Sequence, residues 1–196
     1  MRFRTHLPLL GLACAVALAG CGGPTGPEDQ GGSQADPVAL LHILPTPPGL
    51  VDDGGDARAA TPGEALDAML GAATVTPTMT TRAADAGMVR AAVRGWHTRT
   101  GGTMVASVSV WPAKTIAANF GLQLTQQRLG HSGVSAWTPT QVPGSQGVRS
   151  TGADHERILS ADVGPNVIVV RATGDVTDDT VAVAMARLVR VQEARG

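Results

Sequence analysis

Gly130-His131-Ser132-Gly133-Val134 sets a histidine beside a serine between two glycines. A Gly-x-Ser-x-Gly elbow bares its hydroxyl by straining a turn that leads from a strand into a helix. Here Val134 stands where the last glycine belongs, a helical pattern precedes the serine and a loop follows it, so the strain has no source. His42, His97, His131 and His155 are not two or four residues from one another, the separations that bring imidazoles to one side of a strand or helix. Asp52, Asp53 and Asp56 beside Gly54 and Gly55 lack the alternating order and distal glutamate of a calcium loop, and read as a solvated linker. Gly144-Ser145-Gln146-Gly147 lacks the lysine and following helix of a phosphate loop. No catalytic residue, metal or cofactor is expected; an exported hydrolase assembled from dispersed residues is the alternative.

Arg90, Arg94, Trp96 and Trp111 are the residues best suited to binding. Residues 88–97 and 103–111 both alternate in polarity around Thr100-Gly101-Gly102, which predicts a β-hairpin. With the turn centred between Thr100 and Gly101, Val89, Ala91 and Val93 join Met104, Ala106, Val108 and Val110 on the core side. The two arginines and two tryptophans then share the opposite face with Ala92, Val105, Ser107 and Ser109. Indole and guanidinium groups together suit a sugar face, a peptide or a partner protein, because they combine apolar area with directed donors. The alternative is that residues 38–50 or the Trp137 loop cover the rings.

The N-terminus carries a different chemistry. Arg2 and Arg4 precede an apolar stretch over residues 7–19 that ends at Gly20, Cys21, Gly22, Gly23 and Pro24. That is the order of a secretory signal, and it falls short of the roughly 20 apolar residues of a membrane span. Leu18-Ala19-Gly20-Cys21 resembles the lipobox of bacterial lipoproteins. The resemblance implies that residues 1–20 are removed after recognition of Leu18, Ala19 and Gly20. It further implies that the Cys21 thiol carries a diacylglyceryl group, the palmitate-type anchor of that family. Two acyl chains hold a protein stably at a membrane, each buried methylene contributing about 0.8 kcal/mol. The implied location is the extracytoplasmic face of the cell membrane, or the outer membrane in a diderm cell.

Loss of Arg2 and Arg4 leaves thirteen basic against sixteen acidic residues, so no nucleic-acid footprint is expected. Cys14 leaves with the signal and Cys21 is consumed by lipid, so the remaining chain must rest on its hydrophobic core. Fourteen arginines against the single Lys114 point to GC-rich coding, as in actinobacteria.

The elements that must position these groups follow in order. Residues 21–37 hold Gly, Pro, Ser, Gln and acids and are expected to form a flexible tether. Residues 38–86 form a variable segment: an apolar run over 38–44 stopped by Pro45, Pro47 and Pro48, and a short helix over 62–70 announced by Thr61, Pro62 and Glu64. Residues 73–85, rich in threonine and containing Pro77, read as a loop whose hydroxyls could carry O-glycans.

A compact domain is expected over residues 87–196. After the hairpin comes a helix over 112–128 with a stripe of Ile116, Phe120 and Leu124, and then a loop around Trp137. Strands over 147–151, 156–163 and 167–173 precede a last helix opened by Thr177, Asp178 and Asp179, with Val181, Ala184, Met185, Leu188 and Val189 on its buried face. The order β-β-α-β-β-β-α predicts an α+β fold, an antiparallel sheet with helices on one face.

That order resembles small secreted lipoproteins of actinobacteria, some with a PsbP-like α+β domain, and the resemblance implies a non-enzymatic surface protein. The expected role is a membrane-anchored, non-catalytic binding or envelope-structural lipoprotein. Its expected partners are the membrane, through Cys21, and an envelope protein, peptide or glycan.

Overall fold

The computed structural model describes residues 36–195. The expected signal with Leu18, Ala19 and Gly20, the Cys21 expected to carry lipid, and the expected tether up to residue 35 lie outside the described residues, while the last two residues of that tether, Asp36 and Pro37, instead cap and open the first helix. The described residues belong to one compact unit.

The elements are α1 Pro37–His42, β1 Val51–Asp52, β2 Arg58–Ala60, α2 Pro62–Leu70, α3 Pro77–Asp85, β3 Arg90–His97 and β4 Thr103–Val110. They continue with α4 Lys114–Leu129, β5 Val134–Trp137, β6 Gln146–Ser150, β7 Arg157–Val163, β8 Asn166–Thr173 and α5 Asp178–Glu193. All strand pairs are antiparallel, in the order β1-β3-β4-β8-β7-β6-β5, with β2 also paired to β3. The fold is α+β, as the sequence predicts. Strand β5, at one edge, occupies part of the expected Trp137 loop.

Helices cover both faces of the sheet, not one. Trp96, Met104, Ala106, Val108, Ile168 and Val170 face α1 and α5 through Leu40, Leu41, Val181, Met185 and Leu188. Ala91, Ile158, Val167 and Val169 point the other way, into a second core with Leu66, Met69, Leu70, Trp111 and Leu124. The physical reason lies in β8, where Val167-Ile168-Val169-Val170 is apolar at every position and fully buried. Such an uninterrupted run needs cover on both sides, whereas a strand with one wet face alternates.

Hairpin register differs from the expectation by one residue. Thr98 N donates to Gly102 O at 2.7 Å, leaving a three-residue loop whose Gly101 sits at φ 101°. An odd loop centres the hairpin on Thr100, so Trp96 faces Met104 and Ala92 faces Val108. A one-residue slip exchanges the faces of a whole strand. Met104, Ala106 and Val108 therefore lie with Trp96, not with Ala91, while Val89 is 60% exposed and belongs to no core.

The expected boundary at residue 87 is not a structural one. Leu40, Leu41 and Leu44 from the segment before it are as buried as Ile168, and α2 supplies much of the second core. Asp36 accepts from Val38 N and Pro37 takes the first helical turn, so α1 forms ahead of the prolines. The threonine-rich stretch contains α3, opened by Thr76 Oγ1 accepting from Met79 N with Pro77 behind it. This repeats the device of α2, where Thr61 and Glu64 close a reciprocal capping box. The two Thr61 groups that donate to it and nearby Arg58 hold the Glu64 carboxyl down at about 2. Thr177 caps α5 in the same way.

Candidate functional site

The expected binding face of Arg90, Arg94, Trp96 and Trp111 does not exist as a surface. Trp96 and Trp111 are both fully buried, and on opposite sides of the sheet. Trp96 lies under Leu40, Leu41, Leu44 and Leu50 of the N-terminal segment. Arg90 is exposed near the start of β3 and shares no site with either ring.

Arg94 is a structural fastener. Its Nη1 donates to the carbonyls of Leu41, His42 and Leu44 at 3.1, 3.2 and 2.7 Å, and its Nη2 to Asp52 Oδ2 at 2.6 Å. The first two carbonyls belong to the last turn of α1, where a cation meets the negative end of the helix dipole. The guanidinium also sits 5.1 Å from the centroid of Trp96. Asp52 and Asp53, expected in a solvated linker, are drawn onto β3 instead: Asp52 by Arg94, and Asp53 by His97 Nδ1 and by Gly95 O, which accepts from its N–H.

The other sequence candidates stay apart. Ser132 and His131 are exposed in the turn between α4 and β5, so the chain runs from helix to strand, the reverse of an elbow. The His42 ring approaches Asp56, at 3.7 Å, and His155 is exposed on its own turn. Among the described residues no three His, Cys, Asp or Glu side chains are placed to hold a metal ion.

Two carboxylates tie the far half of the sheet to its helices. Glu156 Oε1 accepts from Arg128 Nη2 at 3.0 Å and Arg171 Nε at 2.7 Å, and Arg128 Nη2 also donates to the carbonyl of Leu70 at the end of α2. Asp178 at the start of α5 accepts from Arg149 and Arg157. In both clusters the arginines already face a carboxylate, so neither is an open anion site.

What the structure does open is a cleft of about 690 Å3 between α2, α3 and α4. Leu66, Trp111, Phe120 and Leu124 line its apolar part. The Trp111 and Phe120 rings meet at a centroid distance of 4.4 Å, tilted by 37°, and Trp111 Nε1 donates to Ser109 Oγ at 2.9 Å. The indole is thereby satisfied and enclosed within the protein, and the half-buried Phe120 and Ile116 present the apolar surface of the cleft in front of it. Asn119, Gln123 and Gln127 of α4 and Arg82 of α3 supply the polar lining. The volume and the mixture of apolar and sparse polar groups are those of small-molecule pockets, roughly 300–1,000 Å3.

Sequence reasoning missed this site because α3 had been read as a loop, which left α4 without a facing wall. A signal was present. Asn119, Gln123 and Gln127 recur every four residues, so their amides line one side of α4 and adjoin the Ile116–Phe120–Leu124 stripe.

The fold and cleft together define an α+β domain with an antiparallel sheet covered by helices on both faces and an open, largely apolar cleft on one of them. No family model matches the chain, and no curated protein matches it. Among solved structures it is similar to the crystal structure of the extracellular domain of PknH from Mycobacterium tuberculosis. Identity there is 11% and the TM-score 0.46, over 74% of this chain and 81% of that one. Among the described residues no helix is long and apolar enough to cross a membrane.

Proposed function

We propose that the chain is an extracytoplasmic lipoprotein, anchored through lipid on Cys21, whose domain binds a small, partly apolar envelope ligand without transforming it. The observation that carries the reading is the cleft. It has an apolar floor presented by Phe120 and Ile116, amide and guanidinium groups at its walls, and, among the described residues, no serine, histidine or carboxylate in its lining. The lipobox at Leu18-Ala19-Gly20-Cys21 and the short apolar stretch before it support the anchor and the location. Buried Trp96 and Trp111 remove the hairpin face as a docking surface, which supports the cleft as the place of recognition.

Native mass spectrometry of Ser33–Gly196, incubated with a lipid and metabolite extract of the envelope, tests the binding half. A defined adduct that disappears in Ile116→Glu is expected, since that carboxylate lies in the cleft wall and not in the core. No adduct, or one indifferent to Ile116→Glu, overturns the cleft. Turnover of ester, peptide or glycoside substrates by the same protein would overturn the non-catalytic half. The anchor is tested separately: Cys21→Ser should abolish fatty-acid labelling and detergent partitioning, and persistence of either would refute it.

A further inference from the structure

We infer that the cleft takes a singly anionic amphiphile, a free acyl chain or comparable apolar body bearing one carboxylate, with its head at Arg82 and its apolar part on Ile116 and Phe120. The inference rests on the cleft as the binding site and names its ligand class. Three observations carry it.

The first is charge. Arg82 is the one ionisable residue that lines the cleft, so the site has a formal charge of +1 with no acid to cancel it. Among the described residues its guanidinium makes no ion pair and no side-chain hydrogen bond; Arg90, Arg99, Arg187, Arg190 and Arg195 make no ion pair either, but Arg82 is the one that lines the cleft, whereas Arg58, Arg94, Arg128, Arg149, Arg157 and Arg171 all face carboxylates. A fork of five N–H donors left open beside an apolar wall matches the two oxygens of a carboxylate.

The second is the opposite wall. Asn119, Gln123 and Gln127 are neutral amides, able to donate to a head group or accept from it without adding charge. They favour neither sign, so the arginine decides the selectivity. A cationic amphiphile would meet Arg82 with nothing to offset the repulsion.

The third is the attachment of α3. Ala83 is its one buried side chain, and its tie to α4 is a weak contact from Gln127 Nε2 to Met79 Sδ at 3.9 Å. A ligand whose head is held by Arg82 on α3 and whose body lies on α4 would join two elements that touch little on their own. Binding should therefore show as protection of α3 as well as occupancy.

The probes are decanoate, decyltrimethylammonium and decanol below their micellar concentrations, titrated into Ser33–Gly196 by calorimetry, with amide exchange of α3 as a second readout. Expected are one decanoate per chain, slowed exchange over Pro77–Asp85, and at least tenfold weaker binding of the ammonium. Arg82→Gln should weaken decanoate at least tenfold and leave decanol unchanged, while Ile116→Glu should weaken both. Decanol and decanoate binding equally well, with Arg82→Gln inert, overturns the anion assignment and leaves the cleft standing. Failure of all three probes also overturns the inference, and the cleft is then judged by the envelope-extract adduct, which assumes no head group. Sedimentation with phosphatidylglycerol vesicles without binding of free decanoate would assign Arg82 to a bilayer surface and overturn it as well.

Discussion

Arg94 Nη1 donates to the carbonyl of Leu44 at 2.7 Å, across fifty residues of chain, while the same guanidinium lies over Trp96. One side chain thus closes α1, the turn after it and β1 onto the middle of β3. The side chain is 9% exposed, and its Asp52 partner 32%.

Truncating Arg94 to Ala should cost about 1.5–3 kcal/mol, the range for a lost charged hydrogen bond. The change strands three carbonyls and a partly buried carboxylate. Arg94→Lys should recover little, because a single ammonium cannot serve the carbonyls and Asp52 from one planar fork. Urea denaturation of Ser33–Gly196 measures both. A loss for Arg94→Ala below a few tenths of a kcal/mol would show that α1 is held by its leucines alone.

Trp96→Ala should cost about 3–5 kcal/mol, comparable to or larger than Leu188→Ala, because both side chains are enclosed in one core. Phe120→Ala should cost less, since that ring is half-buried at the cleft. Thermal unfolding of the three variants ranks them. A small loss for Trp96→Ala would return the indole to the surface and restore the expected binding face.

The hairpin shows what the sequence could and could not carry. Both strands, their alternation and the Gly101 turn were legible, because these are local properties of pattern and backbone. The face on which Trp96 falls depends on whether the loop holds an even or odd number of residues, which alternation alone leaves open. Pattern also failed at α3, where five threonines outweighed the Thr76-Pro77 start that Thr61-Pro62 had announced correctly fifteen residues earlier. At β8 the apolar run was visible, and its demand for cover on both faces went unused. The cleft follows from those last two. It exists only when helices lie on the second face and α3 is one of them.

Asp162 makes the stability depend on pH. Its carboxyl lies against α4 at Gly121, where a side chain would collide with it, and this partial enclosure of an otherwise exposed residue raises its pKa from 3.8 to about 6. Between those values the folded chain holds a proton that the unfolded chain has released. This contribution is therefore greatest below about pH 4 and is lost as pH rises through about 6. Asp162→Asn keeps the shape of the neutral carboxyl and removes the titration. The variant should match the parent near pH 3 and exceed it in stability at pH 7, the difference opening between pH 4 and 6. Paired denaturation curves across that range check it; a constant difference would exclude Asp162 as the source.

Glu156 ties the end of α2 and α4 to β8 on the face of the sheet that carries the cleft. Its carboxylate, 17% exposed, is shared by Arg128 and Arg171, and Arg128 reaches on to the carbonyl of Leu70 that ends α2. Leu66 of the same helix lines the cleft, so the wall of the binding site is fixed at its end by an ion pair outside it. Glu156→Gln leaves two nearly buried guanidinium groups facing a neutral amide. It should cost about 3 kcal/mol, near the lower end for breaking one side of a buried pair, because the amide oxygen still accepts one hydrogen bond. Arg171→Gln should cost less, since Glu156 keeps Arg128 and Arg128 keeps Leu70. Amide exchange separates a general loss of stability from a local one: in Glu156→Gln the last turn of α2 should exchange faster, relative to β8, than in Arg171→Gln. Equal exchange in the two variants would mean that Arg128 holds α2 without help from Glu156, and that the cleft wall is independent of the ion pair.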